Sequence, residues 1–431
     1  MIMKEFNSIT TVFRKSLLTS LCQREEIPSL VKRGKGRFSN QYQCNFETLI
    51  KREDGFSLVE LMVTMVVFVF FTVAASQVFT GLLTQFKQQS RITETNIEGM
   101  IGLEVLRQDI EGAGYGLPWD GLITYAETSA NPFTLNDAPS GVPRAILSQN
   151  DVTSYSAPND VFNQSDYLVI KSAGVARNWV AGKYQFLYDD GNKNWWVPHW
   201  ENVCRREDNS HYPNARVTII SPANRTLVVS GGSFSTYVDS IPSGFRPASD
   251  APHNIIYGVD PDTNLRMPFN RADYYIKIPD PATNMPQRCA DNTGVLYKAT
   301  VNHSDGAFSE LALLDCVADM QVIYALDNNE DGEFLDGAGT PADAYSDDIT
   351  TAALTAQQIR KRVKQVRVYI LAHEGQKDTG FTFNNFNGTC PYCVVVGEFG
   401  LARDFDLATI PDYQNYHWKI YTIVGTPNNL E

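Results

Sequence analysis

The longest apolar run of the chain covers residues 56–79 and carries one ionisable side chain, Glu60, near its start. Roughly 20 apolar residues suffice to cross a bilayer core, so the run predicts a membrane-spanning helix. Lys51, Arg52, Glu53 and Asp54 precede Gly55, and the oily stretch begins at the next residue, Phe56. Beyond it the helical period continues but turns amphipathic: Phe79, Leu82, Leu83 and Phe86 form a stripe that Ile97, Met100, Ile101, Val105 and Ile110 resume. Gly112, Gly114, Gly116 and Pro118 end it. A continuous helix over 56–111 would be roughly 84 Å long at 1.5 Å per residue.

After Pro118 the pattern changes to short β runs between Asn, Asp, Pro and Gly turns. The runs predict strands at 167–171, 184–188, 216–220, 226–229, 274–278, 294–298, 318–325, 366–372, 393–397 and 418–424. One later helix is expected over 353–363. The fold class is therefore α+β, a long N-terminal helix followed by a β-rich head, in three parts: residues 1–55, 56–117 and 118–431. Residues 183–287 read as an elaboration of the head, rich in Tyr, Pro and Asn. They hold Trp195, Trp196 and Trp200, either a small aromatic core or an adhesive surface.

Charge changes the picture by its distribution. The net charge is −13 over 431 residues. Residues 1–55 hold ten Lys/Arg against six Asp/Glu, and the remainder 26 against 43. A basic segment before an apolar helix predicts that the N-terminus stays cytoplasmic while the acidic body is exported. An acidic body also disfavours nucleic-acid binding, which needs cations to release counterions. Of seven cysteines, Cys22 and Cys44 precede Gly55; Cys204, Cys289, Cys316, Cys390 and Cys393 follow it. In an exported body some of these pair. Cys390 and Cys393 are the local pair, and Cys204 with Cys289 is a second candidate.

The stretch Gly55-Phe56-Ser57-Leu58-Val59-Glu60-Leu61-Met62 resembles the processing site of type IV prepilins. That resemblance implies cleavage between Gly55 and Phe56 by a prepilin peptidase, N-methylation of Phe56, and loss of residues 1–55 as a leader. It also implies that Glu60 pairs with the amine of a neighbouring subunit. Each buried charge would then neutralise the other, and a subunit out of register would keep its desolvation penalty. Leu106-Arg107-Gln108-Asp109-Ile110, the following Ala113-Gly114-Tyr115-Gly116, and the C-terminal run from Tyr416 to Val424 resemble, more narrowly, the minor pilins of the PilW group.

Two further motifs invite chemistry. Asp327, Asn329, Asp331 and Glu333 alternate around Gly332, with Asp336 as a displaced closing carboxylate. Alternating oxygen ligands about a turn glycine make either a Ca²⁺ loop or an Asx-rich turn, and PilW-like pilins often carry such a loop. Cys390-Pro391-Tyr392-Cys393 has the spacing of a redox dithiol, but the residues after it favour a strand over the helix that lowers a thiol pKa. A structural disulfide is the expectation. The six histidines are scattered, and no nucleophile elbow or phosphate-binding loop is present. No enzymatic activity and no required cofactor are expected.

The resemblance implies a minor pilin that helps to initiate pilus assembly at or near the tip, with a role in adhesion open. Its partners would be other minor pilins, the major pilin and the inner-membrane assembly platform. The head would lie in the periplasm and then at the cell surface. The alternatives are a J-type minor pseudopilin of type II secretion and a membrane-anchored adhesin or redox protein.

Overall fold

The computed structural model describes residues 57–430 apart from 121–122, 131, 153–163, 177, 194–201, 207, 209, 249–252, 335–342 and 351–352. Gly55, Phe56, Asp336 and the three clustered tryptophans lie outside the described residues. The first helix, α1, runs Leu58–Glu111. The chain divides within it, between Ala75 and Ser76, into two units.

In the first unit the helix is apolar on every side, and Leu58–Lys87 is long and apolar enough to cross a membrane. Its polar side chains are accommodated locally. Thr64 Oγ1 donates to the Leu61 carbonyl at 2.9 Å and Thr72 Oγ1 to that of Phe68 at 2.7 Å. Such back-bonding keeps hydroxyls satisfied where no water is available.

The second unit is built on antiparallel sheets. In chain order the strands begin with β1 (Ile146–Gln149) and β2 (Tyr167–Ser172). Five short strands follow: β3 (Tyr184–Leu187), β4 (Arg216–Ser221), β5 (Thr226–Leu227), β6 (Ser235–Tyr237) and β7 (Asn254–Asp260). Next come β8 (Asn270–Lys277), β9 (Gly294–Val301), β10 (Phe308–Leu326) and β11 (Ala344–Ser346). Helix α2 (Ala356–Arg362) precedes β12 (Val363–Glu374), and β13 (Cys393–Val396), β14 (Arg403–Asp406) and β15 (His417–Gly425) complete the chain. Thr355 and Gln358 form a reciprocal capping box that starts α2.

The main sheet has the order β1-β2-β8-β9-β10-β12-β15, with β11 added to β10. Strands β3 to β7 form a separate five-stranded sheet. It lies wholly in the connection between β2 and β8, which are themselves hydrogen-bonded neighbours. Within the stretch 183–287 expected as an elaboration, Asn270–Lys277 belongs to the main sheet and is buried along its whole length. The charges of Arg271 and Asp273, buried as an ion pair, hid the first half of this strand, of which only 274–278 was expected.

Period-two alternation places one set of side chains against α1. Leu168 and Ile170 of β2, Ala272, Tyr274 and Ile276 of β8, Val322 of β10 and Val368 and Ile370 of β12 share a core with Leu103, Leu106 and Ile110. Each such fully buried aliphatic contributes about 1.5–3 kcal/mol relative to exposure. The intervening residues face a second layer. Ile323, Tyr369, Leu371 and Trp418 pack with Val394 and Phe405 of the β13–β14 hairpin, and Tyr167, Val169 and Tyr275 pack with Leu135 and Leu147.

The helix docks through a face that shares Val105 and Ile110 with the stripe its hydropathy predicts but not the other members of that stripe. Ile97, Met100 and Ile101 are exposed, while Gly99, Gly102, Leu103, Leu106 and Ile110 are buried. The reason is backbone approach. A Cβ on Gly102 would lie 2.1 Å from the Leu313 carbonyl oxygen. Leu313 is the extra residue of a β-bulge, since Ala312 pairs with Tyr297 and Leu314 with Leu296.

Candidate functional site

Glu60 lies in the first turn of α1 and is exposed. The helix macrodipole favours a carboxylate at that end, but a charge within an apolar span costs on the order of 2.5–3.5 kcal/mol even on the lenient insertion scale. Gly55 and Phe56, the expected cleavage and methylation residues, lie outside the described residues.

The other end of α1 is held by the chain's last residues. The Asn428 amide donates to the Glu111 carbonyl at 3.0 Å, and Asn429 Nδ2 reaches the same oxygen at 3.4 Å. These donors satisfy a carbonyl that the helix itself leaves orphaned. Asp109 accepts hydrogen bonds from the Tyr274 hydroxyl and the Lys298 ammonium, so two donors from the sheet fix the helix rotation. A Cβ on Gly425 would sit 2.5 Å from Ile110. The residues that resemble the family at the helix end and in the last strand thus meet one another.

The Asp327 loop folds as an Asx turn. Asp327 Oδ1 accepts from the Glu330 amide at 2.6 Å and Oδ2 from the Gly332 amide at 2.9 Å, with Lys364 Nζ at 3.4 Å. Burial raises the Asp327 pKa, but those amides and Lys364 outweigh it and hold the carboxyl below its ordinary range. Asn329 and Asp331 bond each other, and the Glu333 amide donates to Asp331 at 3.0 Å. Among the described residues these oxygens do not gather at a common point, and a lysine stands beside the principal carboxylate. Asp336, the expected closing carboxylate, lies outside the described residues.

Cys390 and Cys393 form a disulfide that opens β13, a strand and not a helix. Asp406 is the one acid near both sulfurs, and it accepts from the Ala408 amide at 2.9 Å. With the sulfurs bonded to each other, the trio offers no thiolate ligand. The pairing of Cys204 with Cys289 is corrected: Cys289 bonds Cys316, and Cys204 is a buried free thiol. Cys204 lies in the inserted sheet's core, whereas Cys289 precedes β9 of the main sheet. Burial pushes the Cys204 thiol pKa up despite Lys193 nearby.

Sequence reasoning missed a buried ion network on the face of β2 and β8 away from α1. Lys171 Nζ lies 2.8 Å from Glu127 and 2.6 Å from Asp137. Arg271 lies 2.9 Å from Glu127 and 2.7 Å from Asp273, and Arg144 lies 2.6 Å from Asp137. Three cations balance three carboxylates, and all but Arg144 are at most 5 % exposed. The signal in the sequence was a lysine and an arginine inside otherwise apolar strands. The network fastens the segment before β1 to the sheet.

The prokaryotic N-terminal methylation motif matches residues 50–76. No curated protein and no solved structure matches the chain. The matched segment, which takes in the first part of the one apolar helix found among the described residues and is followed by a β-rich head, supports a type IV pilin-like or pseudopilin-like protein. Such a motif implies processing by a prepilin peptidase and assembly partners in the membrane, and it is consistent with membrane anchoring and incorporation into a pilus.

Proposed function

We propose that the chain is a minor type IV pilin of the PilW group, cut between Gly55 and Phe56, that helps to initiate filament assembly and sits at or near the pilus tip. The observation that carries this reading is the methylation motif at 50–76, which spans the start of the apolar helix and includes Glu60. The amine released at Phe56 supplies the missing cation, and Glu60 of one subunit pairs with the amine of another. Its partners are the prepilin peptidase, other minor pilins, the major pilin and the inner-membrane platform. The five-stranded insertion supports placement at an end, because an enlarged head obstructs helical packing along a shaft.

The test is intact mass and N-terminal sequencing of the protein from membranes and from sheared filaments, with Glu60→Ala beside the native chain. The reading expects N-methylated Phe56 at the N-terminus, trace amounts in filaments, and no filament-borne Glu60→Ala. An unprocessed chain confined to membranes despite active peptidase would refute it. Recovery with secretion components and never in pili would assign the chain to the pseudopilins instead.

A further inference from the structure

The buried ion network holds the three groups that an amide-forming reaction needs: an amine, a carboxyl carbon and a proton carrier. Lys171 Nζ donates to Asp137 Oδ2 at 2.6 Å and lies 2.8 Å from Glu127 Oε2. The side chains of Lys171 and Glu127 are fully buried, and that of Asp137 is 5 % exposed. Leu135 and Phe269, both buried, close around them, with the Phe269 ring centroid 5.6 Å from Nζ. Asp137 Cγ is one bond beyond the oxygen that Nζ touches. Nucleophile and electrophile therefore stand at roughly the 3–3.5 Å of a near-attack pair.

Each acid is fixed for a separate part. Glu127 Oε1 accepts from the amides of Asp137 and Ala138 at 2.7 and 3.2 Å, which leaves Oε2 to face Lys171 and Arg271. Asp137 Oδ1 accepts from Arg144 Nε at 2.6 Å, and Oδ2 from the Arg144 amide at 2.8 Å. A guanidinium on Oδ1 stabilises the negative charge that this oxygen gains when Cγ becomes tetrahedral. Burial raises the Asp137 pKa, but Lys171 and Arg144 outweigh it and hold the carboxyl below its ordinary range. The starting state is thus an ammonium beside a carboxylate, and every proton that the reaction requires is already on Lys171.

We propose that Lys171 and Asp137 condense after folding into an intramolecular amide, with Glu127 as the proton carrier. Glu127 takes one ammonium proton, the freed amine attacks Asp137 Cγ, and the Nζ–Cγ bond forms as Oδ2 leaves. Two of the three ammonium hydrogens depart on that oxygen as water. The third stays on the amide nitrogen, beside the Leu135 carbonyl 3.4 Å from Nζ. Nothing is oxidised or reduced, and no co-reactant is consumed. Burial drives the step, because two desolvated charges become a neutral amide and a released water. Arg144 and Arg271 then remain with Glu127 and Asp273, so the site stays balanced in charge. Groups held in this way reach effective concentrations of roughly 10⁵–10⁸ M, and the reaction has to occur only once per molecule. The product ties β2 to the segment before β1 across 34 residues of chain. This chemistry takes place inside the folded head and does not depend on filament assembly.

The experiment is mass spectrometry of the full-length chain, purified in detergent micelles, then denatured, reduced and digested with trypsin. Cleavage after Arg107, Arg144, Lys171 and Arg177 gives an unlinked chain the peptides 108–144 and 145–171. Trypsin does not cut after an acylated lysine, so a linked chain gives one branched peptide joining 108–144 to 145–177, lighter than the two together by one water. The branched peptide is expected, with fragment ions that place the bond at Asp137. It should vanish in Lys171→Arg, which keeps the charge without the nucleophile, and fall about 100-fold in Glu127→Gln. If either variant does not fold, the native digest decides alone. Cleavage of the native chain at Lys171 into plain 108–144 and 145–171, or fragment ions that place the bond at Glu127, would overturn the proposal. An undiminished link in Glu127→Gln would overturn the role given to Glu127.

Discussion

Gly102→Ala tests the docking of α1 most directly. The added Cβ would stand 2.1 Å from the Leu313 oxygen, 2.7 Å from its carbonyl carbon and 3.0 Å from its Cα. All three are backbone atoms of the bulge in β10, so no side-chain rotation relieves the clash. The helix must retreat by roughly 1 Å to restore ordinary contact, and gaps of that size forfeit a quarter to a half of each dispersion well along the seam. Overpacking of this kind costs about 1–3 kcal/mol, and the better helix propensity of alanine returns at most about 1 kcal/mol. Lost packing of Leu103, Leu106 and Ile110 adds to the cost, so a net destabilisation of about 2–3 kcal/mol is expected. Gly99→Ala is the internal control. Its nearest neighbour is Leu314 Cδ1 at 2.8 Å, the free end of a flexible side chain, and the change should stay within about 0.5 kcal/mol. Urea unfolding of the full chain in micelles, followed by tryptophan fluorescence, measures both. Equal stability of the two variants would refute the claim that backbone contact at Gly102 sets the docking.

Three further outcomes follow from the head. Lys171→Met leaves Glu127 and Asp137 with one cation fewer in a buried setting, so it should cost about 3–5 kcal/mol in the same unfolding assay; a loss under about 1 kcal/mol would mean that water enters the network. His373 is buried, and that burial lowers its pKa to about 3. Because its folded pKa lies below the unfolded value near 6.5, its stabilising contribution is complete above about pH 6.5 and declines as pH falls toward 3. His373→Gln should therefore flatten the pH dependence of unfolding across that window, and an unchanged slope would place the titration elsewhere. Removing the Cys289–Cys316 bond, whose residues are 27 apart, should cost about 3.5 kcal/mol, against about 2 kcal/mol for Cys390–Cys393 at a separation of 3. Cysteine-to-alanine pairs compared by thermal unfolding would show the reverse order if strain outweighs loop entropy.

The features legible in the sequence were those carried by local pattern. The apolar run and the glycines after Glu111 placed α1, and each predicted β run overlaps an observed strand. Strands β1 and β7 escaped notice for different reasons. Ile146–Gln149 is only four residues long, and Asn254–Asp260 has polar ends and an interior Gly258, whose Cβ would meet the Val180 carbonyl at 2.4 Å. The docking face of α1 was read correctly at Val105 and Ile110 but misread at Ile97, Met100 and Ile101, because hydropathy counts side chains, and at Gly99 and Gly102 the contact is made by their absence. Disulfide partners and the ion network depend on which strands neighbour one another. That is information about register across the whole sheet, and no local window holds it.

The position of the insertion explains how the head enlarges without loosening its hold on α1. Strands β2 and β8 pair directly, from Leu168 with Tyr274 to Ser172 with Asn270. Everything from β3 to β7 therefore leaves and returns at neighbouring points of an intact ladder. Closing such a loop costs an entropy that grows only logarithmically with its length, so a long insertion is tolerated where its two ends already meet. Lengthening β10 or β12 would instead disturb the register that brings Leu313 to Gly102. The insertion also keeps its own core, around Val217, Ile219 and Ile256, distinct from the one that α1 shares. Substitutions inside that core should unfold the second sheet, while the contacts of Leu103, Leu106 and Ile110 persist. Hydrogen exchange of Ile219→Ala would separate the two. Loss of protection confined to β3–β7 supports independent cores, and equal loss at β10 and β12 would show that the head melts as one cooperative body.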